Sequence, residues 1–269
     1  MMFNMLCMDL RRLFKTRSFY IILSVTAVLL IMVTVMVYAI ADPETMDAME
    51  EQGAEITESD RMMSEYIQNM SQLDLMHETL GSGFLLVITG IGMTLFVNGD
   101  FSNGFIKNIC CIMPRRRDYV LSKIALAGIY SGIITVISVL LMLVSPVLLH
   151  MYPAPDSISQ ILQYVLWMWL PHWAFALMAL ALVLLTRNTT LGIILSLVAG
   201  SGLTVALVSA LGRFLRWPPL EQVFLAAVVK GLYTPESGIT PMRIILACTI
   251  VWAAVYGIGS LLAMEKRDI

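Results

Sequence analysis

Six stretches of this chain contain no Asp, Glu, Lys or Arg: residues 18–41, 79–99, 124–155, 157–186, 188–212 and 244–264. A helix rising about 1.5 Å per residue needs about 20 apolar residues to cross a bilayer's hydrocarbon core, and every one of these stretches is long enough. An ionisable side chain at mid-bilayer costs several kcal/mol, so charge-free runs of this length mark where lipid is the solvent. In lipid the backbone must satisfy itself, which leaves helices or closed barrels, and the alternating pattern of barrel strands is missing. The expected fold class is therefore all-α integral membrane, with six transmembrane helices in one domain over residues 19–269. With 58% hydrophobic and 13% charged residues and a mean hydropathy of +0.81, a soluble globular domain is excluded.

Lys and Arg collect on one side of these runs. With the N-terminus in the cytoplasm, Arg11, Arg12, Lys15, Arg17, Lys107, Arg115, Arg116, Arg117, Lys123, Arg187, Lys266 and Arg267 lie inside, and Arg61, Arg213, Arg216, Lys230 and Arg243 lie outside. The positive-inside rule selects that orientation, and six spans bring both termini to the cytoplasm. Cys7, Cys110 and Cys111 then sit on the reducing side and Cys248 inside the last span, so no disulfide framework is implied. The first apolar run is expected to be a retained helix, since no small-residue cleavage site follows it.

Residues 1–18 place Phe3, Leu6, Leu10, Leu13 and Phe14 at helical spacing among Asp9, Arg11, Arg12 and Lys15. This pattern predicts an interfacial helix on membrane lipid, and an ordinary basic flank gives the same charges. The outer segment 42–80 carries eleven acidic residues against Arg61, with Met46, Met49, Met62, Met63, Met70 and Met76 among them. It is expected to form amphipathic helix outside the bilayer. Acid and methionine together invite a copper reading, but methionine is used throughout the chain, 20 in all, and no metal site is expected. Residues 212–243 hold Trp217-Pro218-Pro219 and the short apolar stretch 223–229, too short to cross, which suggests a half-inserted or re-entrant helix before the last span. Pro171-His172 interrupts the fourth span, where a kink and a structural histidine hydrogen bond are expected. Gly128-x-x-x-Gly132 and Ser196-x-x-x-Gly200-x-x-x-Thr204 are small-residue stripes suited to close helix packing.

Catalytic machinery is not evident. His77, His150 and His172 make no zinc-binding His-Glu-x-x-His pair, no carboxylate pair lies inside a span, and no glycine-rich loop ends in Lys-Ser or Lys-Thr. No cofactor is expected in this chain, and any ATP and Mg must be held by a partner.

The most informative stretch is the inner loop 99–123. Asp100, Gly104, Lys107, Pro114, Arg115 to Arg117, Tyr119, Ser122 and Lys123 give it a pattern similar to the cytoplasmic loop of ABC-2 type transporter permeases. The resemblance implies a permease subunit of an ATP-powered exporter in a cell membrane, expected to be bacterial. Its expected partners are cytoplasmic ABC ATPase subunits and a second permease, identical or homologous, with no nucleic acid. The loop would form a coupling helix docked on the ATPase. Phe101, Phe105, Ile106 and Ile109 would supply its apolar face, and Asp100, Gly104, Lys107, Arg115, Arg116 and Arg117 its turn and rim. The peptide-antibiotic export or immunity type is the subgroup it most resembles. Glu50, Glu51, Glu55 and Glu58 in the outer segment are then candidate substrate-selecting residues, their negative potential attracting a cationic amphipathic peptide. The competing class is a membrane-embedded enzyme or channel that needs no ATPase.

Overall fold

The computed structural model describes residues 2–53, 55–106, 116–151, 153–215, 220–234, 238–239 and 242–266. Its helices are α1 (Met2–Lys15), α2 (Arg17–Ala41), α3 (Pro43–Glu51), α4 (Glu58–Gln68), α5 (Gln72–Leu80), α6 (Phe84–Ser102), α7 (Arg116–Leu148), α8 (Ile158–Thr186), α9 (Thr189–Gly200), α10 (Leu203–Leu215), α11 (Leu225–Lys230) and α12 (Met242–Lys266). A 3-10 turn spans Leu220–Val223, and Tyr233–Thr234 pairs antiparallel with Gly238–Ile239.

Helix starts follow the sequence. Thr57 and Asp60 cap α4 reciprocally, as do Ser71 and Asp74 for α5 and Ser157 and Gln160 for α8. Each of these boxes satisfies backbone N–H groups that the first turn would leave bare. Asp42 ends α2 and caps α3, accepting from the Thr45 N–H at 3.1 Å, with Pro43 in the first turn.

Among the described residues α2, α6, α7, α8 and α12 are long and apolar enough to cross a membrane, and α9 with α10 makes a sixth if the pair is one bent span. The chain is an all-α, multi-pass membrane protein. The fifth expected span, 188–212, is not continuous: it breaks at Gly200-Ser201-Gly202 and turns by 58°. Two glycines within three residues remove the side chains that would hold one axis, and Gly202 takes a left-handed φ of +78°. The inner loop is also shorter than 99–123. Helix α6 runs on to Ser102 and α7 begins at Arg116, so Tyr119, Ser122 and Lys123 are helical.

Helix α8 is the centre of the bundle, with Tyr164, Met168, Ala174, Phe175 and Leu180 fully enclosed, and α6, α7 and α12 pack around it. The Gly128 and Gly132 stripe of α7 makes room for α8: a Cβ at either would stand 3.2 Å from the Nε1 of Trp173 or Trp169. Those indoles stack at 5.8 Å and donate to the carbonyls of Ile124 and Gly128. Pro171 lies inside α8, and the His172 Nδ1–H donates to the Met168 carbonyl at 2.6 Å. Helix α9 runs antiparallel along α6, Gly192 against Thr94, Ser196 against Gly90 and Gly200 against Val87. Helix α2 is the least enclosed of the five continuous spans, exposing Val25, Val28, Ile31, Met32 and Met36.

Three helices, α3, α4 and α5, make up most of the acidic segment, but it is not all surface. Leu73, Leu75, Met76 and Leu80 bury α5 in the bundle, whereas α3 and α4 stay outside. Apolar residues at 73, 76 and 80 give α5 the one-sided face that the charge count conceals.

Candidate functional site

At the end of the bundle that carries α1, three helices bring together a charge cluster that is largely closed to solvent. Lys123 Nζ of α7 lies 2.7 Å from Asp9 Oδ1 of α1 and 2.8 Å from Asp100 Oδ2 of α6. Arg12 of α1 pairs with Asp100 Oδ1 and reaches Asp9 at 4.0 Å, and the Tyr119 hydroxyl donates to Asp100 Oδ2 at 2.7 Å. The side chains of Asp9, Asp100 and Lys123 are 1% exposed or less, and Arg12 alone reaches the surface, at 28%.

Local geometry explains the convergence. Asp9 and Arg12 are three apart on α1, and Tyr119 and Lys123 are four apart on α7, so each pair shares a helix face. Two carboxylates meet two cations, so the cluster is neutral. Charges this far from water persist only when each finds a partner. The Arg12 guanidinium lies 4.5 Å from the Phe96 ring and 4.6 Å from the Phe105 ring, with Lys123 Nζ 4.9 Å from Phe96. The aromatic faces supply electrostatic attraction where water is excluded.

This arrangement changes the roles of the loop residues. Asp100 and Ile106 are both buried, so neither offers its side chain to a partner. The cluster neutralises Asp100, and burial in the bundle's own core satisfies Ile106. Phe105 is half-buried beneath Arg12, and half-buried Phe101 packs on the core with the Arg187 guanidinium 5.7 Å from its ring. Gly104 turns the chain with a left-handed φ of +66° into open space, and Arg117 is exposed on the first turn of α7. Arg116 opens α7. Lys107, Ile109 and Arg115 lie outside the described residues, as does the side chain of Arg116. Asp9 and Arg12 were not singled out as site residues from the sequence, although Asp9 carries a signal: it is the one acidic residue in the otherwise basic helix α1.

At the opposite end, Glu50, Glu51, Glu55 and Glu58 are all exposed. Glu50 pairs with Arg61 at 2.8 Å on the open surface, where such a pair adds little stability. Exposed Met49, Met62, Met63 and Tyr66 lie on the same two helices. Helix α4 is held to the end of α2, since the Ser64 hydroxyl and Gln68 amide both donate to the Ala41 carbonyl, at 3.1 and 2.7 Å. Beside this junction Tyr38, Asp42, Gln68, Leu75 and His150 line an open pocket of about 230 Å³.

A family model described as ABC-2 family transporter protein matches residues 12–202, well over half of the chain. The chain belongs to the ABC-2 transporter family. No curated protein matches it. The matched stretch of this ABC-2 permease runs from Arg12 through the break after α9, and so includes every cluster member but Asp9. ABC-2 permeases are the membrane components of ABC transporters and partner ABC ATPase subunits.

The permease has a second polar junction, at the α5 end. His77 Nε2 donates to the Lys230 carbonyl at 2.9 Å, which leaves Nδ1 to accept from the Tyr164 hydroxyl at 3.3 Å. The Tyr233 hydroxyl donates to Asp74 Oδ1 at 2.7 Å, and the Leu73 N–H donates to Asp156 at 2.7 Å. These contacts tie α5 to α8 and to the segment after α10. Burial lowers the His77 pKa below its ordinary value of 6.5, against the raising effects of the Lys230 carbonyl, Glu78 and Asp74. A depressed histidine favours the folded state above its unfolded pKa, and that stability is lost as pH falls through the folded value. The unfolding midpoint of the purified permease is therefore expected to fall on acidification from about pH 7.5 to about pH 5, and His77→Gln to flatten the dependence. Scanning fluorimetry across pH checks this, and an unchanged slope in the variant rejects it.

Proposed function

We propose that this ABC-2 permease is the membrane subunit of an exporter driven by separate ABC ATPase subunits, which dock at the α1 end around residues 103–117. The observation that carries the reading is the family match over residues 12–202. The distribution of charge supports it. Exposed Arg11, Lys15, Arg17, Arg117 and Arg187 gather at the α1 end, and the acidic helices α3 and α4 occupy the other, so the α1 end faces the cytoplasm. Two permeases, identical or homologous, assemble with two ATPases in the plasma membrane, and nucleotide-driven closure moves the inner loop as a rigid element. ATP and Mg are held by the ATPase.

The cargo is an amphipathic, cationic peptide of the antimicrobial kind. Exposed Glu50, Glu51, Glu55 and Glu58 concentrate cations over roughly one Debye length, about 8 Å at physiological salt, and the exposed methionines of α3 and α4 provide adaptable apolar contacts.

The test is purification of the tagged permease from native membranes. An ABC ATPase is expected to co-elute in stoichiometric amount, with ATP hydrolysis in the complex and none from the permease alone. A permease that moves its cargo with no nucleotide-binding partner overturns the reading. Changing the four glutamates to Gln is expected to weaken resistance to cationic peptides, most at low salt. Unchanged resistance across salt removes the peptide assignment and leaves the ATPase assignment standing.

A further inference from the structure

We propose that Asp9, Arg12, Asp100 and Lys123 act as a clasp that makes α1 move with the inner loop, so that movement of the loop is delivered to α2. The inference rests on the exporter reading, which supplies the moving partner, and concerns how this chain carries the motion onward.

Three observations place the clasp in the load path. First, the loop touches it directly: the Phe105 ring lies against the Arg12 guanidinium, and Asp100 is one turn from the loop on α6. Displacing Phe105 therefore acts on Arg12, and through it on α1. Second, α1 and α2 are separated by Thr16 alone, and that joint is braced. The Thr16 hydroxyl donates to the Arg12 carbonyl at 2.7 Å, the Tyr20 hydroxyl to the Phe14 carbonyl at 2.8 Å, and Phe14 meets Phe19 edge-on at 5.6 Å. A shift of α1 thus reaches the start of α2 instead of being absorbed in a loop. Third, α2 is the least enclosed of the five continuous spans, so it meets little resistance from the bundle.

The chemistry suits a positioning role. An apolar contact between α1 and α7 would tolerate sliding, because dispersion and area burial have little directional preference. Lys123 between two enclosed carboxylates does not slide without separating charge where water cannot replace the partner. Arg12 is the one member that reaches the surface, and it lies against Phe105 and Phe96, so it is where outside motion enters.

Cys7 on α1 is a free, partly exposed thiol and serves as the reporter. With Cys110, Cys111 and Cys248 changed to Ser, the permease is purified in complex with its ATPase, and maleimide labelling of Cys7 is timed with and without ATP and vanadate. The nucleotide is expected to change the labelling rate about five-fold or more in this parent. Lys123→Arg, which keeps the charge, is expected to retain the response. The double variant Arg12→Met with Asp100→Asn removes the guanidinium that meets Phe105 and its tie to α6, and leaves Asp9 and Lys123 paired. It is expected to stay folded and hold the ATPase while losing the response. A full response in the double variant overturns the clasp, and so does a parent whose Cys7 ignores nucleotide. Loss of ATPase binding in the double variant also overturns it, since the cluster would then shape the docking surface and not transmit motion. A parent that captures no ATPase fails at the earlier step, and the exporter reading falls with it.

Discussion

Lys123→Met is expected to destabilise the permease by about 3–5 kcal/mol, because it leaves Asp9 with only Arg12 at 4.0 Å, and Asp100 with Arg12 and the Tyr119 hydroxyl, so that two buried carboxylates share one cation. Most of that cost comes from the uncompensated carboxylates and little from the ion pair itself, since a buried pair roughly breaks even against apolar packing. Removing Asp9 and Lys123 together should therefore cost much less than the single change. The double variant restores neutrality, and the Asp9 Oδ2 atom already lacks a hydrogen-bond partner among the described residues. Thermal unfolding of both variants in the same detergent checks the difference. If Lys123→Met unfolds within about 0.5 kcal/mol of the parent, the cluster is hydrated in the membrane and its enclosure is not what holds it together.

Gly83→Leu is expected to cost more than about 3 kcal/mol, for two independent reasons. Gly83 precedes the first residue of α6 with a φ of +90°, a backbone region that strains any residue with a Cβ. A Cβ at that position would also stand 2.3 Å from the Gly200 carbonyl oxygen, and backbone at the end of α9 cannot rotate aside as a side chain does. The expected outcome is loss of monodisperse protein on size exclusion and a collapsed unfolding midpoint. Gly104→Ala is the control. It has a similar left-handed φ of +66° but nothing within 4 Å, so it pays only the conformational cost of about 1 kcal/mol. Equal behaviour of the two variants would mean that the α6–α9 contact relaxes freely.

Membrane insertion was legible in this sequence because it is a property of single segments. Charge-free runs report where lipid lies whatever their neighbours do: α2, α8 and α12 begin and end within two residues of the expected edges, α6 ends three residues past its run, and α7 is offset, starting eight residues before its run and stopping seven short of its end. Capping boxes were equally local, since Thr57, Ser71 and Ser157 each reach a residue three positions on. The family pattern in the inner loop was visible for the same reason, and the match over residues 12–202 agrees with it.

What the tertiary structure alone decided is which way the polar residues face. Asp100 stood out in sequence as a loop residue, yet its partners Arg12 and Lys123 lie 88 and 23 positions away, and only packing of α1 against α6 and α7 brings them within reach. His77 likewise offered no signal, because its carbonyl partner at Lys230 is 153 positions on. The bend after α9 and the inward face of α5 depend in the same way on what stands opposite, Gly83 and Val87 in one case and the bundle core in the other. A chain's periodicity states how much surface must leave water. Whether a given carboxylate ends in solvent or in a neutral buried cluster depends on long-range partners, whose loop-closure cost and charge complementarity no local window contains.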